Sequence, residues 1–340
     1  MNFDLSPDQE AMRDSVARFA GDGSVEARKA TRMQPGGIDR TRWQALADLG
    51  LLALPLSTDA GGMGGDRVDC AVVAEALGRA LAVEPWLECG YFTLQLTGDA
   101  SIASGERLAA VAFAEPGRRY ALEPQLRATQ RGEGWALNGA KTFVLGGAAD
   151  LFLVTASTLS GAAVFAVEAA ATDRRNYVVV DGSLAAEIVL RDTPGTRLPA
   201  DFTAAVTATR LMAAAEMVGL ASRLFDDTVA YVKQRMQFGQ PLGSFQVIQH
   251  RLVDAYATLE QMRSTLWRTV LGEPSAAQVA GAKALIAEGA LAIGHEAIQL
   301  HGGMGVTDEL TIGHGHKRIL LLSKLFGDPA SGFTAYAEAA

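Results

Sequence analysis

The stretch from Arg235 to His250 reads R-M-Q-F-G-Q-P-L-G-S-F-Q-V-I-Q-H and gathers a cation (Arg235), amides (Gln237, Gln246, Gln249) and an aromatic ring (Phe238). Such a set suits a phosphate with an attached heteroaromatic ring, because a guanidinium forks onto oxygens while a ring offers a stacking face. The flanking spacing makes this stretch a corner. Leu220, Leu224, Phe225, Thr228, Val229 and Val232 recur at three and four, which predicts a helix with one buried stripe that ends at Gly239. Pro241 and Gly243 break the pattern, and Phe245, Ile248, Leu252 and Ala255 restart it. The plainer alternative is a capped helix-helix corner with a solvated arginine.

A second chemistry-bearing stretch is Gln299-Leu-His-Gly-Gly-Met-Gly305. Its glycines leave backbone bare beside an amide, so a ligand can approach closely and accept hydrogen bonds from main-chain N–H groups. The cluster Gly61-Gly62-Met63-Gly64-Gly65 is different. No Gly-Lys-Ser/Thr follows it and no buried strand directly precedes it, so a phosphate loop is excluded and a loop hugging a neighbouring domain or substrate is expected. His301, His314 and His316 lack a second cluster of metal ligands and read as loop and helix-end residues, and Cys70 and Cys89 read as buried thiols.

These stretches need long helices to hold them. Four are expected, near 203–238, 244–271, 275–301 and 308–325, with an alanine-rich stripe Val279, Ala282, Ile286, Ala290, Ile293 and Ala297 that suits a close-packed bundle. Glu309, next to Asp308, is expected to start the last, where negative charge suits the helix dipole. Residues 109–200 carry short β-rich runs, at Val111–Phe113, Trp135–Leu137, Lys141–Val144, Leu151–Thr155, Val164–Val167, Tyr177–Val180 and Glu187–Leu190, which predict a small barrel or sandwich. Within them Asn138-Gly139 is expected to turn a hairpin. Residues 1–108 read as helical, with Ser6-Pro7-Asp8-Gln9 as a capping-box start and further helices at Thr41–Leu49 and Val68–Leu81. The order helical, β, helical defines an α+β chain with an N-terminal α-helical domain (1–108), a middle β domain (109–200) and a C-terminal four-helix bundle (201–340).

The 340 residues are 49% hydrophobic and 20% charged, an ordinary globular balance. The formal charge is -8 and no basic face with interleaved aromatics is present, which argues against nucleic acid as a partner. Asp4, Asp8, Glu10, Arg13 and Asp14 leave no apolar centre for a secretory signal, and the apolar run Leu151–Val167 is interrupted by Thr155, Ser157, Thr158, Ser160 and Gly161. It reads as two strands and a turn. The expectation is a cytoplasmic protein with no membrane insertion.

Taken in order, Asp59-Ala-Gly-Gly-Met-Gly, Val73-Ala-Glu-Ala-Leu-Gly-Arg79, Ala114-Glu-Pro-Gly117, Leu137-Asn-Gly-Ala-Lys141, the Arg235–Gln246 corner and the Gln299–Gly305 stretch resemble motifs of the acyl-CoA dehydrogenase family over the whole chain. The resemblance implies an FAD enzyme that places a double bond between Cα and Cβ of an acyl-CoA thioester, a carboxylate removing the α-proton while hydride leaves Cβ for flavin N5. It also implies that Arg235, Phe238 and Gln246 contact the FAD pyrophosphate and adenosine half, with Gln299, Gly302 and Gly303 beside them. In the family these groups reach the flavin of a neighbouring subunit, and electrons pass to an electron-transferring flavoprotein.

The chain departs from that pattern where the chemistry is done. The position of the family's glutamate base is Phe326, and the alternative base position, before Arg210, is Thr209. Three hydroxyls expected around the flavin ring are replaced, at Ala114, at Tyr120 and within Phe143-Val144-Leu145. Glu216, two turns beyond Thr209 on one helix face, and Asp328, two residues beyond Phe326, are the remaining carboxylates near those positions, each with a surface or interface ion pair as its alternative role. Three readings follow. The chain is a subunit of a heteromeric acyl-CoA dehydrogenase, of the short type resembling small subunits in steroid side-chain or dicarboxylic acid breakdown; or a self-sufficient homo-oligomer with a relocated base; or a scaffold that binds no flavin.

Overall fold

A computed structural model describes residues 4–21, 23–118 and 120–339. In chain order it contains α1 (Pro7–Ala20), α2 (Val25–Arg32), α3 (Arg40–Asp48), α4 (Arg67–Arg79), a π-helical turn (Trp86–Tyr91), the short α5 (Phe92–Leu94) and α6 (Ala100–Ala103). Seven strands follow: β1 (Ala109–Ala112), β2 (Arg127–Arg131), β3 (Gly134–Leu145), β4 (Leu151–Thr158), β5 (Gly161–Glu168), β6 (Asp173–Val178) and β7 (Leu184–Leu198). The remainder is α7 (Phe202–Gln234), the two-residue strands β8 (Met236–Gln237) and β9 (Gln240–Pro241), α8 (Gln246–Leu271), α9 (Ala276–His301), α10 (Thr311–Lys324) and α11 (Pro329–Glu338). This is the α+β order expected, helical, then β, then a helical bundle. The chain packs as two compact units, one from the described parts of Met1–Lys29, Arg67–Ala82 and Arg210–Ala340, the other from Ala30–Asp66 and Val83–Thr209.

The second unit is built on a closed barrel. β4 pairs along one edge with β5, β5 with β7, β7 with β3, β3 with β2, and Arg127 of β2 pairs with Ser157 of β4, closing the ring. β1 lies parallel to the first half of β4, and β6 pairs with β7. Closure leaves few unpaired edges. Inside, the Lys141 side chain is wholly buried and its Nζ donates to Glu115 Oε1 at 2.8 Å, to Thr155 Oγ1 at 2.9 Å and to the Phe113 carbonyl at 3.1 Å. Glu115 also accepts from the backbone N–H groups of Gln125 and Leu126. Burial pulls the Lys141 ammonium down to about 8. For Glu115 burial acts upward, but the bonds from Lys141, Leu126 and Gln125 outweigh it and hold the carboxyl low. The Ala114–Gly117 and Leu137–Lys141 motifs therefore meet as one buried, satisfied network.

Two strand expectations are corrected here. Asn138-Gly139 does not turn a hairpin: β3 runs straight through it, with a register shift against β7 between Leu137 and Gly139. Gly139, at φ 143°, supplies a bulge, and its bare Cα lets Leu126 approach to 2.9 Å of where a Cβ would stand. The hairpin turn lies earlier, where β2 meets β3 with Arg131 opposite Gly134. β2 itself was not anticipated, because R-A-T-Q-R is exposed at four of its five positions and has no apolar alternation. The glycine run after Leu56 hugs its own chain. Met63, Gly64 and Gly65 donate to the carbonyls of Ala53, Leu56 and Leu54, and a Cβ on Gly62 would stand 2.2 Å from the Leu56 oxygen.

The first unit is helical. Ser6 and Gln9 form the expected capping box at α1, and Ser275 and Gln278 form another at α9. The α9 stripe is buried as its spacing requires. α7 and α9 have the length and hydropathy of a membrane span, but 72% and 56% of the relevant windows are buried within the fold, as core helices are. α11 was not foreseen as a separate helix; Asp328 caps it and Pro329 opens it, and Gly332 lies on the Ala280 carbonyl of α9. α4 crosses α7 at glycines on both sides. A Cβ on Gly78 would lie 2.2 Å from the Glu216 carbonyl, and one on Gly219 1.9 Å from the Glu75 carbonyl. Backbone meets backbone there, and neither helix can yield.

Gly219→Ala is therefore expected to cost at least about 2 kcal/mol of unfolding free energy, the upper part of the overpacking range. Gly98→Ala, where nothing stands within 4 Å, should stay within about 0.5 kcal/mol. Urea unfolding of the two variants checks this.

Candidate cofactor site and base position

α7 does not run to Gly239. It ends at Gln234, and Arg235 to Leu242 form a tight hairpin: Met236 opposes Pro241, Gln237 opposes Gln240, and Leu242 N donates to the Arg235 carbonyl at 2.9 Å. The two turn residues, Phe238 and Gly239, have φ of 54° and 82°. This is the backbone of a two-residue hairpin turn, which glycine accepts freely and an aromatic residue only at a cost of roughly 1–2 kcal/mol. Strain at that position holds an aromatic ring outward. Phe238 is 89% exposed and, among the described residues, its one ring contact is a T-shaped one with Phe245, at 6.1 Å between centroids. Arg235, Gln246 and Gln249 are exposed around it, and Gln249 Nε2 ties the corner together through the Gly243 carbonyl at 2.9 Å. Among the described residues no ion pair engages the Arg235 guanidinium.

At the end of α9 the Gly302 N–H closes onto the Gln299 carbonyl and the chain turns at φ 60°, ψ -141°, a conformation open to glycine. Nothing lies within 4 Å of an added Cβ at either Gly302 or Gly303, and Gln299 is exposed beside them. Bare backbone therefore faces open space. A guanidinium, exposed amides, an outward ring and uncovered glycines can together receive a phosphate-linked heteroaromatic group.

Phe326, expected from the sequence at the base position, lies in a turn held through its backbone. Phe326 is 4% exposed, at φ 59°, and its carbonyl accepts from Arg210 Nη2 at 2.7 Å and Nε at 3.2 Å. Lys283, buried on α9, donates to the carbonyls of Ser323, Leu325 and Gly327 at 3.0, 2.9 and 2.6 Å. Burial first, and then the Arg210 charge, pull its ammonium down to about 7. Two cations thus hold the carbonyls at the end of α10 and the turn after it. Sequence reasoning passed over Lys283; the signal was a lysine beside Ala282 and between Val279 and Ile286, on a face otherwise apolar.

The other candidate bases are occupied. Thr209 Oγ1 donates to the Ala205 carbonyl at 2.7 Å and is fully buried. Glu216 holds Arg318 through both oxygens, at 2.7 and 3.2 Å, with side chains 11% and 13% exposed. Asp328 Oδ1 accepts from Ser331 N at 3.0 Å as the cap of α11. In the barrel unit, Phe143 sits at φ 52° and its N–H is taken by the Tyr177 hydroxyl at 3.1 Å. Glu309 does not start α10, which begins at Thr311, and the neighbouring Asp308 pairs with Lys317 at 3.1 Å. His314 and His316 lie within α10, where the His316 ring fills the space left by Gly294. Burial, with His295 adjacent at 4.8 Å between rings, pulls His316 down to about 4. Among the described residues no three metal-ligating side chains gather.

Helices, barrel and bundle in this order, with an open cofactor corner on the bundle, define a flavin-dependent dehydrogenase type of architecture. The chain belongs to the acyl-CoA dehydrogenase family. A family model described as acyl-CoA dehydrogenase, N-terminal domain, matches residues 6–96, and one described as acyl-CoA dehydrogenase, C-terminal domain, matches residues 200–330. The chain is 32% identical over 331 residues to the acyl-CoA dehydrogenase IpdE2 of Mycolicibacterium smegmatis, covering 96% of each. It is 32% identical to the acyl-CoA dehydrogenase FadE27 of Mycobacterium tuberculosis over 79% of each. Among solved structures it superposes with TM-score 0.90 on a chain of the Tcur3481-Tcur3483 steroid ACAD, G363A variant, at 28% identity over 97% of each chain. The same score, at 25% identity, is reached with a chain of the ChsE4-ChsE5 complex from Mycobacterium tuberculosis, over 99% of this chain and 98% of that one. The family uses FAD and oxidises the CH–CH bond of acyl-CoA thioesters.

Glu216→Gln should unfold more easily by about 3 kcal/mol, because it leaves the Arg318 charge buried and half-paired. The pH dependence has a definite sign. His316 has a lower pKa folded, about 4, than its ordinary value of 6.5, so the unfolded chain binds the extra proton first and stability falls as pH drops from about 6.5 towards 4. In His316→Phe that part of the slope should vanish in unfolding midpoints measured across this range.

Proposed function

We propose that this chain is a subunit of a heteromeric acyl-CoA dehydrogenase, contributing contacts to the adenosine half of FAD and working with a longer homologous subunit that carries the base and the flavin-ring pocket. The observation that carries this reading is the Phe326 turn. Where the family places its proton-abstracting carboxylate, this chain has a buried ring whose backbone is held by Arg210 and Lys283, and the nearby carboxylates of Glu216 and Asp328 are committed to an ion pair and a helix cap.

Two features support a fit to FAD. The Cβ-free surface at Gly302 and Gly303 lets a phosphate or ribose reach main-chain N–H groups, and the strained, exposed Phe238 offers a face to the adenine or a neighbouring ring. Arg235 supplies charge for the pyrophosphate, and Gln246 and Gln299 supply hydrogen bonds. When bound, FAD supplies the hydride acceptor for acyl-CoA oxidation. The role of this chain's own residues is to bind and orient that group for a carboxylate on the partner. Exposed Met236, Val247, Val253 and Tyr256 flank the corner and offer apolar surface to such a partner. Similarity to chains from two heteromeric assemblies, one described as a steroid ACAD, favours a homologous second subunit and a steroid side-chain acyl-CoA as substrate. An electron-transferring flavoprotein is the proposed acceptor, and the cytoplasm the proposed location.

The test is co-purification with a longer homologous subunit. Arg235→Ala in the pair should weaken FAD retention at least tenfold and lower acyl-CoA oxidation at limiting FAD, while Asp328→Asn leaves turnover unchanged. If the lone chain is yellow, oxidises acyl-CoA, and is indifferent to Arg235→Ala, the heteromeric reading fails. Loss of turnover with FAD retained in Asp328→Asn or Glu216→Gln would instead favour a self-sufficient enzyme.

A further inference from the structure

The two parts of the cofactor corner come from different helix ends, the Arg235 hairpin from α7 and the Gly302–Gly303 turn from α9. One contact joins the residues immediately behind them. His301, the last residue of α9 and 6% exposed, stacks on Tyr231 with ring centroids 4.1 Å apart and planes 24° apart. Tyr231 in turn accepts, through its carbonyl, the Arg235 N–H at 2.8 Å. On its other side the His301 Nδ1 lies 2.8 Å from the Ala297 carbonyl, closing the last turn of α9. Burial, partly offset by the Ala297 bond and the Asp227 charge, keeps the imidazole pKa below the ordinary range, so the ring is neutral at neutral pH. A neutral ring facing a carbonyl with Nδ1 carries its proton there, which fixes the tautomer and the plane of the ring.

We infer that His301 is a positioning residue for FAD, its stack on Tyr231 setting the register between the Arg235 hairpin and the Gly302–Gly303 turn. This rests on the reading of those two segments as the adenosine-half site. Geometry gives the reason. Gly302 has no side chain to anchor the turn and nothing packs where its Cβ would be, so beside the close packing of Gly305 on Ile298 its place is set by the residue before it, His301. That residue has two restraints, a hydrogen bond that sets the end of α9 and a flat contact that sets α9 against α7. If the stack is lost, bare N–H groups and the Arg235 guanidinium no longer address one pyrophosphate at a fixed spacing, and affinity falls while both segments remain folded.

The experiment measures two quantities, FAD affinity by flavin fluorescence on the full-length chain paired with its longer homologous subunit, and amide hydrogen exchange of the FAD-free chain. Tyr231→Leu and His301→Ala should each weaken FAD binding about three- to tenfold, the worth of a ring pair beyond its area. The double variant should bind no worse than His301→Ala alone, since that substitution already removes the stack. Tyr231→Phe, which keeps the ring, should match the wild type. In Tyr231→Leu the peptide spanning 299–306 should exchange faster although the substitution lies on another helix. Unchanged exchange there, or additive losses in the double variant, overturns the inference. If His301→Ala does not fold, His301→Phe separates the restraints, keeping the stack and losing the Ala297 bond, and should retain most of the affinity; loss equal to Tyr231→Leu overturns the role given to the stack. Arg235→Ala distinguishes the two levels: unchanged FAD affinity in that variant refutes the reading of the corner itself, whereas weakened binding there with none in Tyr231→Leu refutes only the positioning role.

Discussion

The end of α10 leaves backbone carbonyls without helical partners, and the fold answers with a buried lysine and a half-buried arginine. Lys283 takes the carbonyls of Ser323, Leu325 and Gly327, and Arg210 takes that of Phe326. Such carbonyls carry the negative end of a helix dipole, so cations satisfy both the hydrogen bonds and the field. Much depends on this clamp. It draws α7, α9 and the turn after α10 to one place, sets the start of α11 at Asp328, and allows Phe326 its left-handed backbone without a polar side chain to steady it. A buried ammonium kept by three carbonyls costs less than one left alone, but its lowered pKa records that burial is still opposed to its charge.

That arrangement lets the chain keep the family's architecture whatever residue stands at position 326. The cations sit in the helices, where the core requires them, and bind main chain rather than the side chain there. A phenylalanine at that place therefore leaves the turn intact. The cofactor corner has the opposite economy. Phe238 accepts an unfavourable backbone and near-complete exposure against one edge contact with Phe245, and Gly302 a glycine conformation closed by one hydrogen bond to Gln299. Local strain kept with so little internal compensation suits a surface shaped for a ligand.

Much of this was legible in the sequence. The long helices follow from apolar residues at three and four, the capping boxes at Ser6 and Ser275 from short-range hydrogen bonding, and the β region from alternation bounded by turn residues. The two chemistry-bearing stretches were legible as motifs. What failed was tertiary in origin. Asn138-Gly139 has the composition of a hairpin turn, but β3 is paired on both sides there, with β2 and with β7, and the ladder outweighs the turn preference. Strand β2 earns its place from pairing alone, since its side chains are largely exposed. The early end of α7 reflects the hairpin closed between Met236 and Pro241, whose two-residue ladder no periodicity announces. The roles of Lys283, Glu115 and Lys141 depend on partners between 10 and 44 residues away, beyond the reach of local pattern.

The central claim is a division of labour, with binding groups on this chain and the proton-abstracting carboxylate on another. The most direct measurement is anaerobic mixing of the lone, FAD-reconstituted chain with short-chain, long-chain and steroid side-chain acyl-CoA esters, following the flavin absorbance. The account predicts no bleaching by the lone chain with any of them, and bleaching by at least one ester once a homologous subunit bearing the glutamate is added. Stoichiometric bleaching by the lone chain would contradict it.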